Sequence, residues 1–115
     1  MTYIKPFAST LLSADSTYTS GAVEILSVST LQGQNAVYYP LASVIVTNKL
    51  ATNASFYIWV DSTTLPDAFL AYNLSISGYN TYETFRFSMA PTDKLYVAGT
   101  TGLVFFVNGI LQQSA

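Results

Sequence analysis

The sequence predicts an all-β domain, an antiparallel β-sandwich of jelly-roll type with about eight strands. Three observations carry that reading. Short runs of β-branched and aromatic residues fill almost the whole chain, each run closes on a cluster of Gly, Pro, Asn, Asp or Ser, and several runs alternate apolar and polar residues with period two. An immunoglobulin-like sandwich is the near alternative.

Phe7 to Leu12 reads as a first, weak strand. Ala22 to Thr30 is a clearer one, ended by Gly33-Gln34-Asn35; Val23 and Ile25 share one face while Leu26 and Val28 share the other, and such a break in phase predicts a bulge. A short strand at Ala36 to Tyr39 precedes Leu41 to Asn48, which stops at the polar Ala51-Thr52-Asn53 corner. Ala54 to Asp61 is apolar on both faces, which predicts a strand in the middle of a sheet. After the Thr63-Thr64-Leu65-Pro66-Asp67 turn, Leu70, Tyr72, Leu74 and Ile76 alternate with Ala71, Asn73, Ser75 and Ser77, as in a half-buried strand.

Beyond Gly78-Tyr79-Asn80 the same rhythm sets Phe85, Phe87 and Met89 against Thr84, Arg86 and Ser88, up to a turn at Pro91-Thr92-Asp93. Leu95 to Ala98 and Leu103 to Ile110 are joined by Gly99-Thr100-Thr101-Gly102, whose glycines accommodate positive φ, and the expectation is an antiparallel hairpin. Residues 1–115 therefore read as one domain, with an extended N-terminal segment over residues 1–7.

Composition narrows function by exclusion. The chain has no histidine and no cysteine, and only 9 % of it is charged against 50 % hydrophobic and 15 % aromatic. Imidazole and thiolate chemistry is thereby removed, together with disulfides and thiolate zinc sites. With a net charge of -2 and with Lys5, Lys49, Arg86 and Lys94 scattered, no basic surface is expected to hold nucleic acid. The apolar runs are too short for a membrane helix, and the N-terminus lacks the pattern of a signal peptide, so folding in a cytosol is the simpler expectation.

Few residues suggest chemistry. Asp61, Asp67, Glu83 and Asp93 fall in or beside turns, where carboxylates can gather as calcium ligands or as a glycosidase pair. There is no Asp-x-Asp-x-Asp loop, however, and turn aspartates usually bond their own backbone. No Gly-x-Ser-x-Gly elbow or Ser-x-x-Lys spacing occurs, and the Asn53-Ala54-Ser55 and Asn73-Leu74-Ser75 tripeptides are read as chance glycosylation matches. Neither catalytic residues, a metal nor a cofactor is expected.

The nine tyrosines and Trp59 carry a different possibility, because aromatic faces both stack on sugars and anchor protein interfaces. Tyr38, Tyr39, Tyr79 and Tyr82 lie near loops or strand ends and are the candidate contacts; Trp59, Tyr72 and Tyr96 lie within strands and are assigned to core packing. The apolar segment Tyr3 to Phe7, with Tyr3, Ile4 and Phe7 as contacts, is expected to lie against a neighbour, as is one open sheet edge.

From Leu41 onward the order Ser43-Val44-Ile45-Val46-Thr47-Asn48, Phe56-Tyr57-Ile58-Trp59-Val60, Leu70-Ala71-Tyr72-Asn73-Leu74-Ser75-Ile76, Asp93-Lys94-Leu95-Tyr96-Val97 and Val104-Phe105-Phe106-Val107-Asn108-Gly109 resembles small bacteriophage virion β-sandwich proteins. In those, the turn before the penultimate strand often reads Gly-Asp-x-Leu; here Thr92 replaces the glycine. The resemblance implies a non-enzymatic virion protein, above all a capsid decoration or cement protein that binds the major capsid protein as a homo-oligomer. A tail, neck or baseplate component and a carbohydrate-binding recognition module are the alternatives.

Overall fold

Strands with one apolar face need a second sheet to cover it, and a strand apolar on both faces needs neighbours on either side. Both needs are met in the computed structural model, which describes residues 5–28, 38–62 and 68–113. Nine strands are described: β1 (Lys5–Leu11), β2 (Val23–Ser27), β3 (Tyr38–Asn48), β4 (Ala54–Asp61), β5 (Ala68–Ile76), β6 (Thr81–Glu83), β7 (Phe87–Ser88), β8 (Lys94–Gly99) and β9 (Leu103–Gln113). One sheet has the order β1-β9-β3-β6, with β7 also on β3, and the other has the order β2-β8-β4-β5. Every ladder is antiparallel.

The pairing is that of a nested ribbon. β4 pairs with β5, β3 with β6 and β7, β2 with β8, and β1 with β9; rolling this ribbon brings β3 against β9 and β4 against β8. With β6 and β7 counted as two halves of one strand, this is an eight-stranded jelly roll, and the immunoglobulin alternative falls away. No helix among the described residues is long and apolar enough to cross a membrane.

The core fills the space between the sheets. Val44 and Val46 of β3 with Phe105 and Val107 of β9 face Phe56 and Ile58 of β4 with Leu95 and Val97 of β8, and all eight are fully buried. The Phe56 and Phe105 rings meet across the layers at 6.3 Å. Side chains of this kind each stabilise the fold by about 1.5–3 kcal/mol when removed from water. One end of the sandwich is tied by Asn48, itself fully buried. Its Nδ2 donates to the carbonyls of Thr52 (2.9 Å), Ile76 (3.3 Å) and Ser77 (3.2 Å), and its Oδ1 accepts from the Leu50 N–H (3.0 Å).

As expected, β4 is an inner strand, and β2 has its bulge, with the β2–β8 register shifting between Glu24 and Leu26. Three expectations are corrected. β8 and β9 form no hairpin, because they lie in different sheets and the linker arches between them. The Thr100 N–H donates to the Ser55 carbonyl and the Gly102 N–H to the Leu12 carbonyl, so the linker is held by both layers. Gly99 (φ 156°) and Gly102 (φ 95°) permit that course.

On β5, Ala71 and Ile76 are buried while Tyr72 points outward and is 62 % exposed. The register against β4 shifts on both sides of Ile58, and each extra residue on β5 reverses the alternation. Phe85, expected inside, is 74 % exposed. Thr84 is buried in its place and accepts the Val44 N–H on its hydroxyl at 3.0 Å, and the phase recovers by Phe87 and Met89.

Candidate functional site

The outer face of the β2-β8-β4-β5 sheet carries a continuous row of aromatic rings. Along β4 the residues facing away from the core are Ser55, Tyr57 and Trp59, and ladder register sets Trp59 between Tyr96 of β8 and Phe69 of β5. Trp59 stacks on Tyr96 with centroids 5.6 Å apart and planes 10° from parallel. Phe69 lies 5.9 Å from Trp59 and 4.9 Å from Tyr72, which in turn meets Tyr57 nearly at right angles, at 5.2 Å and 84°.

The connection between β1 and β2 folds over this face. The Ser16 N–H donates to the Gly99 carbonyl (2.9 Å), its Oγ accepts the Gly99 N–H (3.0 Å), and Asp15 Oδ1 accepts the Thr101 N–H (2.8 Å). This latch sets the Tyr18 ring edge-on against Trp59 (5.0 Å) and Phe69 (4.8 Å). Trp59 is thereby only 4 % exposed, whereas Tyr72 at the far end of the row is open to solvent.

Beside Tyr57 the latch leaves a polar cleft of about 220 Å³. Asp15, Ser16 and Thr17 form one wall, Ser55 and Tyr57 the floor on β4, Asn73 the β5 side, and Gly99 and Thr100 the arch side. Asn73 sits in the β5 bulge with φ 48°, a left-handed conformation that side chains other than Asn and Asp seldom adopt. At the other end of the row, the Tyr96 hydroxyl donates to Glu24 Oε1 (3.4 Å), which also meets Lys94 Nζ (3.6 Å). Desolvation first, and then the Glu24 charge, raises the Tyr96 phenol above its ordinary value of 10.0.

The candidate contacts named from the sequence lie elsewhere. Tyr3 and Ile4 fall outside the described residues, and Phe7 is half-buried against the core at the β1 bulge. Tyr38 and Tyr39 begin β3 opposite Gln113 and Gln112, while Tyr82 pairs with Val46. At about 3.3 Å per residue, positions 38 and 46 of one strand are roughly 26 Å apart. The Tyr82 ring packs on Phe56 at 5.4 Å; Tyr79 is 74 % exposed in the loop between β5 and β6 with φ 61°. Positions 38 and 39 thus lie at the opposite end of β3 from Tyr79 and Tyr82.

Tyr72 and Tyr96, by contrast, are corrected from core to outer face, whereas Trp59 is buried as expected, though beneath Tyr18 on the outer side of its sheet. The signal that could have found them was the double-faced β4 run itself, whose second face had to pack against something. The acidic residues disperse: Asp61 ends β4 opposite Lys94, Glu83 lies in the other sheet, and Asp93 Oδ2 accepts the Ala90 N–H of its own turn at 2.9 Å. Asp67 lies outside the described residues, among which no three acidic side chains gather.

No family model and no curated protein matches the sequence. Among solved structures, the fold is similar to a chain in the structure of infectious bursal disease virus, Gx strain, with a TM-score of 0.54 and 10 % identity over 98 % of this chain and 37 % of that one. The chain thus spans little more than a third of that relative's length. The coat protein of tobacco streak virus, solved as a dimer, aligns with a TM-score of 0.47 and 10 % identity over 99 % of this chain and 87 % of that one. At such identity the bursal disease virus match is one of fold.

Proposed function

We propose that this chain is a non-enzymatic structural subunit of a virion, and specifically a bacteriophage capsid decoration or cement protein that binds the major capsid protein as a homo-oligomer after assembly in the host cytoplasm. The observation that carries the reading is the nested jelly-roll strand order, supported by the similarity of the fold to a virus chain. A chain without imidazole or thiol, rich in aromatic surface, adds to it. Phage origin rests on the strand rhythm from Ser43 to Gly109, and the decoration role on the resemblance that rhythm carries.

The mechanism is mass action. A subunit that binds only the assembled lattice stabilises it by RT ln(1 + [L]/Kd), about 2.7 kcal/mol per site at a free concentration of about 100 Kd. Contact through faces and loops suits this better than strand addition, since β1, β2 and β5 are edge strands with register shifts and the β6–β7 edge is interrupted.

Two measurements test the proposal. Quantitative mass spectrometry of virions should give a copy number comparable with that of the major capsid protein, and adding the protein to purified empty capsids should raise their melting temperature. A handful of copies per particle indicates a tail, neck or baseplate position; failure to bind capsids rejects decoration.

A further inference from the structure

The chemistry of the cleft beside Tyr57 is narrower than that of a general contact surface. Its side chains supply hydroxyls from serine, threonine and tyrosine, one amide and one carboxylate, and no cation. Without lysine or arginine it has no cation to pair with a phosphate, a sulfate or the carboxylate of sialic acid. A single carboxylate falls short of the ligand set a divalent cation requires, and glycoside hydrolysis takes a pair. What remains is a neutral ligand dense in hydroxyl groups.

Three further features point the same way. Tyr57 lines the cleft, and Tyr72, exposed just outside it, meets the Tyr57 ring at a right angle; the apolar faces of such rings suit the C–H face of a pyranose while their polar tips stay wet. The β5 bulge opposite Tyr57 inserts Asn73 at φ 48°, in a place where no turn demands it. Bulges of this kind re-aim a side chain, and left-handed backbone at a non-glycine residue collects at functional positions. The exposed Asn73 amide forms no hydrogen bond with other side chains among the described residues. The latch from Asp15 and Ser16 to Thr101 and Gly99 holds the opposite rim in place before any ligand arrives, which lowers the entropic cost of binding.

We propose that this cleft binds one residue of a neutral glycan, its ring against Tyr57 and Tyr72 and its hydroxyls bonded to the Asn73 amide and to the Asp15–Thr17 rim, without turnover. The volume suits a single sugar, being below the roughly 300–1,000 Å³ of pockets that enclose drug-sized ligands. The inference is independent of where in a virion the subunit sits.

The test is an array of immobilised neutral, sialylated and sulfated glycans, followed by NMR titration with methyl glycosides of glucose, galactose, mannose and N-acetylglucosamine. Neutral glycans should bind, shifting the Asn73 side-chain amide and the backbone amides of Gly99, Thr100 and Thr101. Asn73→Gly keeps the left-handed backbone available and removes only the amide; it should weaken binding roughly tenfold, the value of one lost hydrogen bond. Tyr72→Ala, at an exposed position, should weaken it at least as much, and Phe85→Ser, in the other sheet, should leave it unchanged. The proposal is overturned if no neutral glycan binds at millimolar concentration, if only charged glycans bind, or if binding survives Asn73→Gly and Tyr72→Ala in folded protein. Protection of Asn73 and Tyr72 by capsids, with no glycan bound, assigns the face to a protein partner and equally overturns it.

Discussion

The ladders inside the two sheets and the ladders at their margins follow different rules. β3 and β9 stay in register from Tyr38 opposite Gln113 to Asn48 opposite Leu103, and β4 and β8 do so from Phe56 opposite Gly99 to Asp61 opposite Lys94. At the margins, the register slips near Phe7 in β1, near Ile25 in β2 and twice along β5, and the β6–β7 strand breaks at Phe85 and Arg86. An inner strand has its backbone groups satisfied on both sides, and any slip would bring polar residues into the core. A marginal strand with an unbroken ladder would instead be a template for another chain. Irregularity is therefore placed where it blocks strand addition, and the molecule is left to make contact through its faces.

The contrast is most sharply broken at an inner strand. Phe105→Ala removes a fully buried ring from β9 and should cost about 3–5 kcal/mol in chemical denaturation, more than any single change at a marginal strand. Asn48→Ala should follow at about 2–3 kcal/mol, because it strands the buried Ile76 carbonyl and the part-buried Leu50 N–H that the amide now serves. At the margins, Phe85→Ser and Asn73→Gly should each shift stability by no more than about 0.5 kcal/mol in the same assay. A loss as large as that of Phe105→Ala at either position would erase the distinction.

The smallest effect is a pH dependence at Tyr96. Its folded-state phenol titrates above 10.0, so the stability it contributes is complete below the unfolded value and disappears as pH rises through the higher folded value. Tyrosinate absorbance should show one phenol ionising late, and Glu24→Gln should bring it earlier. Trp59, stacked on the same ring, should report the change in its fluorescence.

What could be read from the residues was whatever depended on one strand at a time. The double apolar face of Ala54 to Asp61 placed β4 inside a sheet, and the phase break at Ile25 marked a bulge before any partner strand was known. The arch at Gly99 to Gly102 could not be told from a hairpin, since a short glycine-bounded linker serves both and only the hydrogen bonds to Ser55 and Leu12 decide. Tyr72 and Phe85 take the face opposite to the one their period predicts for a related reason, because the slips that turn them outward are set by β4 and β3. The aromatic row was hidden most fully. Tyr18, Trp59, Phe69 and Tyr96 are far apart along the chain, and they become neighbours only through lateral register and the Ser16 latch.

The nested order also bears on how the molecule comes into being. Among successive strands only β4 and β5 bond to each other, so nearly every ladder waits on a distant segment, and such topologies fold slowly, on timescales of roughly milliseconds to seconds. β9 stands between β1 and β3, so until it has emerged from the ribosome those two strands have no common partner. A nascent chain therefore carries several sticky segments without a mate, and expression yield should respond more to crowding by fellow nascent chains and to chaperone supply than to the stability of the finished fold.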